Sequence, residues 1–354
     1  MSLQQVADRH LEARSLLSLT AGRYLTQLWT RHVDPADVFR SWNEQIPVAD
    51  EALSGMQYMA ARDSQQYIGA ALGEFGLEPS GPPLSAAGFA GFTYGLDSTP
   101  PMHLPGALEH PAYRTMDLLK QGYPSDQAMA GGLDSLVTMG GSAVADAGRQ
   151  ADGVQAATEQ QVTGYVRQVE ADACSRCMIL AGRRYRHNDG FDRHPNCLCE
   201  HVPIVDGESV PVQDSYELFE SMSLEEQSHR FGEAGAQAIR DGADIYQVVN
   251  ARRGMSSTAT GSLVTTEGTA QRRGRPVGFA GRQMERSGVT GPRMMPEEIY
   301  RRANGNDRII REQLQRHGYI TGTQSSEGIL RPQMSGWYGD SVRERRERLR
   351  QGNQ

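Results

Sequence analysis

The chain has 354 residues, which is enough for two or three folded units at the usual size of about 150 residues each. Hydrophobic residues make up 38% and aromatic residues 7%, and the mean hydropathy is -0.56, as in a helix-rich protein with a large polar surface. The net charge of -7 excludes a protein that coats DNA through its overall charge, although local basic patches are compatible with it.

The sequence offers no membrane segment. No stretch approaches the 18 or more apolar residues that a membrane-spanning helix needs. Asp8, Arg9 and Glu12 stand where a secretory signal would have its apolar core. We therefore expect a protein that is made in a cytoplasm and has no membrane partner.

Residues 1 to about 76 are predicted to be helical. Leu17, Ala21, Leu25 and Leu28 follow helical spacing in the first segment. Asp34-Pro35 is typical of a helix start, with Asp as the N-cap and Pro in the first turn, and Gly76 is a typical stop. From 77 to about 110, Gly, Pro, Ser and Thr dominate, which predicts a long loop.

The sequence again predicts helices from His110, with interruptions, to Ala173. Its last part has apolar residues at 162, 165, 166 and 169, a spacing that we interpret as one stripe of a helix. That predicted helix ends just before the first cysteine, Cys174.

The sequence after the cysteines predicts short helices separated by a flexible segment. Ser223 and Glu226 form a capping-box pattern, and a break is expected near Gly242. Residues 255–293 have no apolar period and are predicted to be a flexible arm or linker. Helices resume at Met295-Pro296, and Gly318 is expected to close the next one.

These patterns, together with the spacing of Cys174, Cys177, His194, Cys197 and Cys199 that is typical of a zinc site, predict a mainly α fold with a small central zinc knuckle, a short β-hairpin, short helices and an extended C-terminal arm. The predicted domains are a helical domain at 1–165 with a loop at about 77–110, a Cys/His zinc knuckle at 166–206, a helical segment at 207–254, the arm or linker at 255–293, and C-terminal helices with a tail at 294–354.

All four cysteines fall in one short window. Cys174 and Cys177 form a Cys-x2-Cys pair, and His194, Cys197 and Cys199 follow. Such a pair directs two thiolates at one metal, and a second cluster can complete a tetrahedron around Zn²⁺. We therefore predict structural Zn²⁺ held by these five residues, more donors than zinc needs, with His201 as a weaker candidate and the spare donor among His194, Cys197 and Cys199 unassigned.

Two other interpretations of the four thiols are a disulfide pairing and buried free cysteines. Clustering in a reducing compartment favours the metal. With four protein ligands the site would be closed and structural, without a place for a water nucleophile. The sequence also lacks a phosphate-binding loop, a nucleophile elbow and a His-Glu-x-x-His helix, so we expect neither catalytic residues, nor an enzyme, nor a small-molecule substrate.

Three arginines in the predicted arm have no acidic neighbour. Arg272, Arg273 and Arg275 follow Glu267, the last acid before them. They are candidates for contact with nucleic acid or with an acidic protein surface. A solvated basic stretch is the alternative.

The window 172–204 resembles the cysteine signature of MuF-like phage minor capsid proteins, the phage head morphogenesis family. The shared elements are the Cys174–Cys177 pair, the Leu180–Gly182 turn, His194-Pro195 with Cys197 and Cys199, and the short Val202–Ile204 strand. The segment 235–254 also resembles minor capsid proteins of actinobacterial phages. Many family members have Arg between the last two cysteines, where this chain has Leu198.

The resemblance implies a structural minor capsid protein, made in the host cytoplasm and located in the virion, in the capsid interior near the portal vertex. Its implied partners are the portal protein, other capsid proteins and packaged DNA, and its implied role is head morphogenesis with DNA packaging or delivery. The alternatives are a zinc-dependent nucleic-acid-processing enzyme and a zinc-knuckle DNA-binding protein.

Overall fold

The computed structural model describes residues 2–93, 101–170, 172–186, 193–195, 197, 199–208, 210 and 212–321. The chain divides into two compact units, the first comprising Met1–Glu170 with Arg184–Val212 and the second Ala171–Arg183 with Gln213–Gln354. The fold is mainly α, as predicted. The predicted C-terminal tail lies outside the described residues.

The first unit is built on helices of five to 34 residues. They are α1 (Leu3–His32), α2 (Val38–Asn43), α3 (Ile46–Gly73), α4 (Leu104–Leu108), α5 (His110–Lys120) and α6 (Ser125–Thr158). Its strands are β1 (Phe92–Thr93), β2 (Met102–His103), β3 (Val162–Gln168), β4 (Arg184–Tyr185) and β5 (Glu200–Val205), and a 3-10 turn covers Ala86–Phe89. The predicted loop at 77–110 therefore contains short regular elements.

The N-terminal helix begins at a capping box. The Ser2 hydroxyl accepts the Gln5 N–H while the Gln5 side chain accepts the Ser2 N–H, which satisfies two amides that the first helical turn leaves open. The predicted start with Asp34 as the N-cap is wrong by three positions. Asp34 instead accepts the Ala36 N–H in a turn, and Asp37 caps α2.

The core of this unit lies among α1, α3 and α6. Leu25, Leu53 and Leu136 are fully buried there. A Cβ at Gly140 would lie 2.3 Å from Leu25 Cδ1, so glycine allows α6 to approach α1 closely. Glycine lowers the helix propensity of the sequence here, but it allows close packing of the helices in the fold.

A three-stranded antiparallel sheet of order β4-β3-β5 follows α6. It corrects the prediction of a helix over Val162–Val169. The strand β3 is buried along almost its whole length, so its buried positions do not alternate. Its apolar residues Val162, Tyr165 and Val166 have a spacing that a helix would also show, whereas its β-branched residues favour a strand.

The second unit consists of short elements. Its helices are α7 (Ser175–Met178), α8 (Ser215–Glu220), α9 (Leu224–Phe231), α10 (Glu233–Arg240), α11 (Ile245–Ala251), α12 (Phe279–Arg286), α13 (Pro296–Ala303) and α14 (Asp307–Arg316). Its strands are β6 (Met255–Ser257), β7 (Leu263–Thr265), β8 (Gln271–Arg272), β9 (Arg275–Pro276) and β10 (Arg293–Met294), with a 3-10 turn at Arg252–Gly254.

Local signals placed several of these helices correctly. Both hydrogen bonds of the predicted capping box between Ser223 and Glu226 are present at the start of α9. Gly242 and Gly318 adopt positive φ after α10 and α14, as expected of residues that end helices. The elements pack around a core that includes Phe219, Phe231, Ile239, Ile245, Leu314 and Tyr319.

The segment 255–293 is not an extended arm. It contains the three-stranded sheet β10-β7-β6, the hairpin β8-β9 and the helix α12. The elements are two to eight residues long, which is too short for an apolar period to appear in the sequence. The prediction of a flexible arm or linker is wrong for this reason.

Candidate metal centre

The Cys174–Cys177 pair forms a tight helical turn. Cys174 is the N-cap of α7, and its Sγ accepts the N–H of Cys177 at 3.5 Å. The turn is anchored on both sides, because Arg176 donates to Asn250 Oδ1 at 3.0 Å and the Ser215 hydroxyl donates to the Met178 carbonyl at 2.9 Å. Cys177 is buried and Cys174 is exposed.

Cys197 and Cys199 lie directly before β5, and both are buried. The guanidinium of Arg167, from the adjacent strand β3, lies 3.3 Å from Cys199 Sγ and 3.7 Å from Cys197 Sγ. Arg167 is itself only 1% exposed. A cation beside a cysteine favours its thiolate form, and Arg167 brings a positive charge to both sulfur atoms.

A second buried arginine fixes the backbone of the same two cysteines. Arg149 of α6 donates to the carbonyl oxygens of Cys197 at 2.6 Å and of Cys199 at 3.4 Å. Asp146, one turn earlier on α6, pairs with both Arg149 and Arg193. Burial opposes the charge of Arg149, yet the carboxylate of Asp146 and the thiol of Cys197 raise its pKa.

His194 lies near the surface of the same segment. Its Nδ1 is 2.7 Å from the carbonyl oxygen of Pro195. A proton on Nδ1 would make this a hydrogen bond and leave the lone pair on Nε2, the form in which histidine binds metals. The geometry of His194 is therefore suitable for a ligand.

His201, the weaker candidate, lies within β5, where the edge of its ring contacts Tyr165 at a centroid distance of 4.0 Å. Burial lowers its pKa to about 3. Its backbone carbonyl accepts the Tyr67 hydroxyl at 2.7 Å. His201 is thus a neutral, packed residue of the sheet.

The predicted ligands form two overlapping groups. The ligand atoms of Cys177, Cys197 and Cys199 lie within 4.8 Å of one another, and so do those of Cys174, Cys177 and His194. Sulfur atoms at 2.3 Å from a tetrahedral metal are about 3.8 Å apart, which is within this limit. The cluster could therefore hold a metal ion.

Sequence reasoning missed the charged network beside the cysteines. Arg14 donates to Glu200 at 2.5 Å and to Asp152 at 2.9 Å, and His10 lies between Asp152 and Asp63. Burial opposes ionisation of Asp152, but Arg14 and His10 hold its pKa well below the usual range. For His10 burial is likewise outweighed, and Asp152 and Asp63 raise its pKa to about 9.

His10, Asp152 and Glu200 also have ligand atoms within 4.8 Å of one another. The guanidinium of Arg14 already bonds both carboxylates and supplies the positive charge that a metal would bring. This network is therefore an ionic contact among α1, α6 and β5. No residue spacing marks it, because its members come from distant parts of the sequence.

The three arginines predicted to contact nucleic acid or a partner lie elsewhere, on the hairpin β8-β9. Arg272, Arg273 and Arg275 are all exposed. Within the described residues, no helix is both long enough and apolar enough to cross a membrane.

The fold and site thus define a mainly α protein with a buried group of thiols suited to a metal ion. Residues 96–223 match the model of the VG15 protein family, a viral and phage family. The match covers about a third of the chain and includes all five predicted metal ligands. It indicates a protein of phage type. No curated protein and no solved structure matches the chain.

Proposed function

We propose that the chain is a structural minor capsid protein of a tailed phage, located inside the head and associated with the portal and other capsid proteins. It would act in head morphogenesis. The observation that carries this proposal is the buried group of thiols inside the segment that matches a phage family. The MuF-like cysteine signature supports the finer assignment.

We further propose that the metal is Zn²⁺. Thiolate and imidazole donors without carboxylates suit zinc in a tetrahedral structural site. Four thiolates around Zn²⁺ would carry a net charge of -2, and Arg149 and Arg167 bring two positive charges to the buried cysteines. The surrounding charges therefore fit a loaded thiolate site.

The role of such a site is to stabilise rather than to react. Among the described residues from Cys174 to Cys199, the buried apolar side chains other than cysteine are Met178, Ile179 and Ala181, so a metal can supplement a small core there. The donors exceed the four that zinc needs, which leaves no position for substrate or a water nucleophile. We infer that the chain is not an enzyme.

The proposal is tested by head assembly with the double variant Cys174→Ser/Cys177→Ser. We expect loss of bound zinc and reduced incorporation of the protein into purified heads, measured by quantitative mass spectrometry. Ser175→Ala, which leaves every thiol in place, is the matched control and should assemble like the wild type. Wild-type incorporation of the double variant would contradict a structural metal role.

A further inference from the structure

The hairpin β8-β9, residues 271–276, is called here the arginine hairpin. Its register places Arg272 directly opposite Arg275 and Gln271 opposite Pro276. Opposed residues in an antiparallel pair project from the same face, so two positive side chains lie side by side. Like charges at opposed positions destabilise a hairpin, so this pair is a cost to folding unless an anion lies between the two guanidinium groups.

The turn of the hairpin contains a third arginine, whose backbone conformation is strained. Arg273 has φ of 53° and Gly274 has φ of 76°. Turns with positive φ at both central residues strongly favour Asn-Gly or Gly-Gly, because a larger side chain is strained there. An arginine at this position is explained neither by the turn geometry nor by burial, since its side chain is exposed.

The other face of the hairpin is turned towards the protein. Gln271 and Pro276 line a cleft of about 600 Å³, together with Gly274 and Met284 of α12. Because neighbouring positions of a strand alternate between faces, Arg272 and Arg275 project from the opposite face, into solvent. The arginine pair is thus presented outward on a supported hairpin.

The helix α12 extends the basic surface. Two residues separate it from β9, and Arg282 donates to the carbonyl of Val277 at 2.6 Å, which holds this side chain at the base of the hairpin. Arg286 follows one turn later and is also exposed. Among described residues 271–287 the only acid is Glu285, and no ion pair within the described chain joins it to these arginines.

We propose that the arginine hairpin binds the phosphate backbone of double-stranded DNA. A two-stranded ribbon fits the major groove, and guanidinium groups bind phosphate oxygens through paired hydrogen bonds. A phosphate between Arg272 and Arg275 would remove their repulsion, and Arg273 at the tip would reach a neighbouring phosphate. These contacts carry no sequence information, so binding is independent of base sequence.

This inference does not depend on the metal centre, and the two can fail separately. The test uses the full chain and a fluorescein-labelled DNA duplex of about 20 base pairs, two turns of B-DNA, with Kd measured by anisotropy at several salt concentrations. The variant is R272Q/R273Q/R275Q. The matched control is R62Q/R308Q/R311Q, which changes the net charge equally at exposed arginines of α3 and α14.

We expect the hairpin variant to bind at least about tenfold more weakly at low salt, and the control to bind within about twofold of the wild type. Each lost phosphate contact lowers the slope of log K against log salt by about 0.9. With the two phosphate contacts proposed for the hairpin, the advantage of wild type over the hairpin variant should therefore shrink roughly twelvefold between about 50 and 200 mM salt.

Equal weakening in the control variant would overturn the proposal, since net charge alone would then explain binding. Equal affinity of the hairpin variant and the wild type would also overturn it. Binding of the wild type to polyglutamate but not to the duplex would reassign the hairpin to an acidic protein surface. Retained binding in R272K/R273K/R275K, with a modest loss, is expected because lysine keeps the charge without the planar fork.

Discussion

Arginines in two regions of this molecule stand in opposite environments. Arg149 and Arg167 are buried beside Cys197 and Cys199, and each has negative or carbonyl groups within hydrogen-bonding distance. The arginine hairpin carries exposed arginines that face one another without an acid. The buried arginines are explained by partners within the chain, whereas the exposed ones are the basis of the proposed DNA contact.

Removing the metal from the buried cysteines should lower the free energy of unfolding more than any other change. A ligand present at a thousandfold excess over its Kd stabilises a protein by about 4 kcal/mol, and a structural zinc site is expected to exceed that value. Chelation should lower the unfolding midpoint in urea and expose the 174–199 segment to limited proteolysis. An unchanged midpoint after complete chelation would show that no metal stabilises the fold.

Removing the contact between Arg167 and the two buried cysteines should have the second-largest effect on the free energy of unfolding. Replacing Arg167 with Met removes the cation beside two buried sulfur atoms, and such losses typically cost 3–5 kcal/mol. Arg184→Met, at an exposed residue on the neighbouring strand, is the control and should change the free energy of unfolding by less than about 0.5 kcal/mol. Denaturant unfolding measures both, and equal effects would contradict the account.

The buried cation His10 makes stability depend on pH. Its pKa is about 9 in the folded chain and 6.5 in the unfolded chain, so its contribution is complete below pH 6.5 and is lost as pH rises through 9. We expect a decrease of roughly 3 kcal/mol between pH 6 and 10 from this group. The variant His10→Gln should show a smaller decrease in urea unfolding, and parallel pH curves would contradict the assignment.

The smallest effect concerns the exposed arginines. Arg273→Gly should raise stability by about 1 kcal/mol, because glycine adopts the positive φ of 53° without strain. Arg272→Gly removes the same charge from a strand position and should lower stability instead. Thermal unfolding separates the two variants, while both should weaken DNA binding. A lower melting temperature for Arg273→Gly would show that its conformation carries no cost.

Local signals in the sequence determined much of the helical part. Ser223 with Glu226, Gly242 and Gly318 each mark a helix boundary through chemistry that acts within a few residues. The sequence did not predict the strand Val162–Gln168, because a strand that is buried on both faces lacks alternation. It did not predict the elements in 255–293, because each of them is too short to show a period.

The candidate metal centre, like the helix caps, was predictable from residues that lie close together in the sequence. The spacing of Cys174 and Cys177, and of Cys197 and Cys199, is local and carries its own chemistry. Arg149 and Arg167 were not predictable, since they reach the cysteines from α6 and β3 through the fold.

The central claim is that the buried thiols hold zinc as a structural ion. Elemental mass spectrometry of the purified full chain, with a count of reactive thiols before and after chelation, tests it most directly. The account predicts one zinc per chain and thiols that react only after chelation. A chain without bound metal, whose four cysteines react freely from the start, would contradict it.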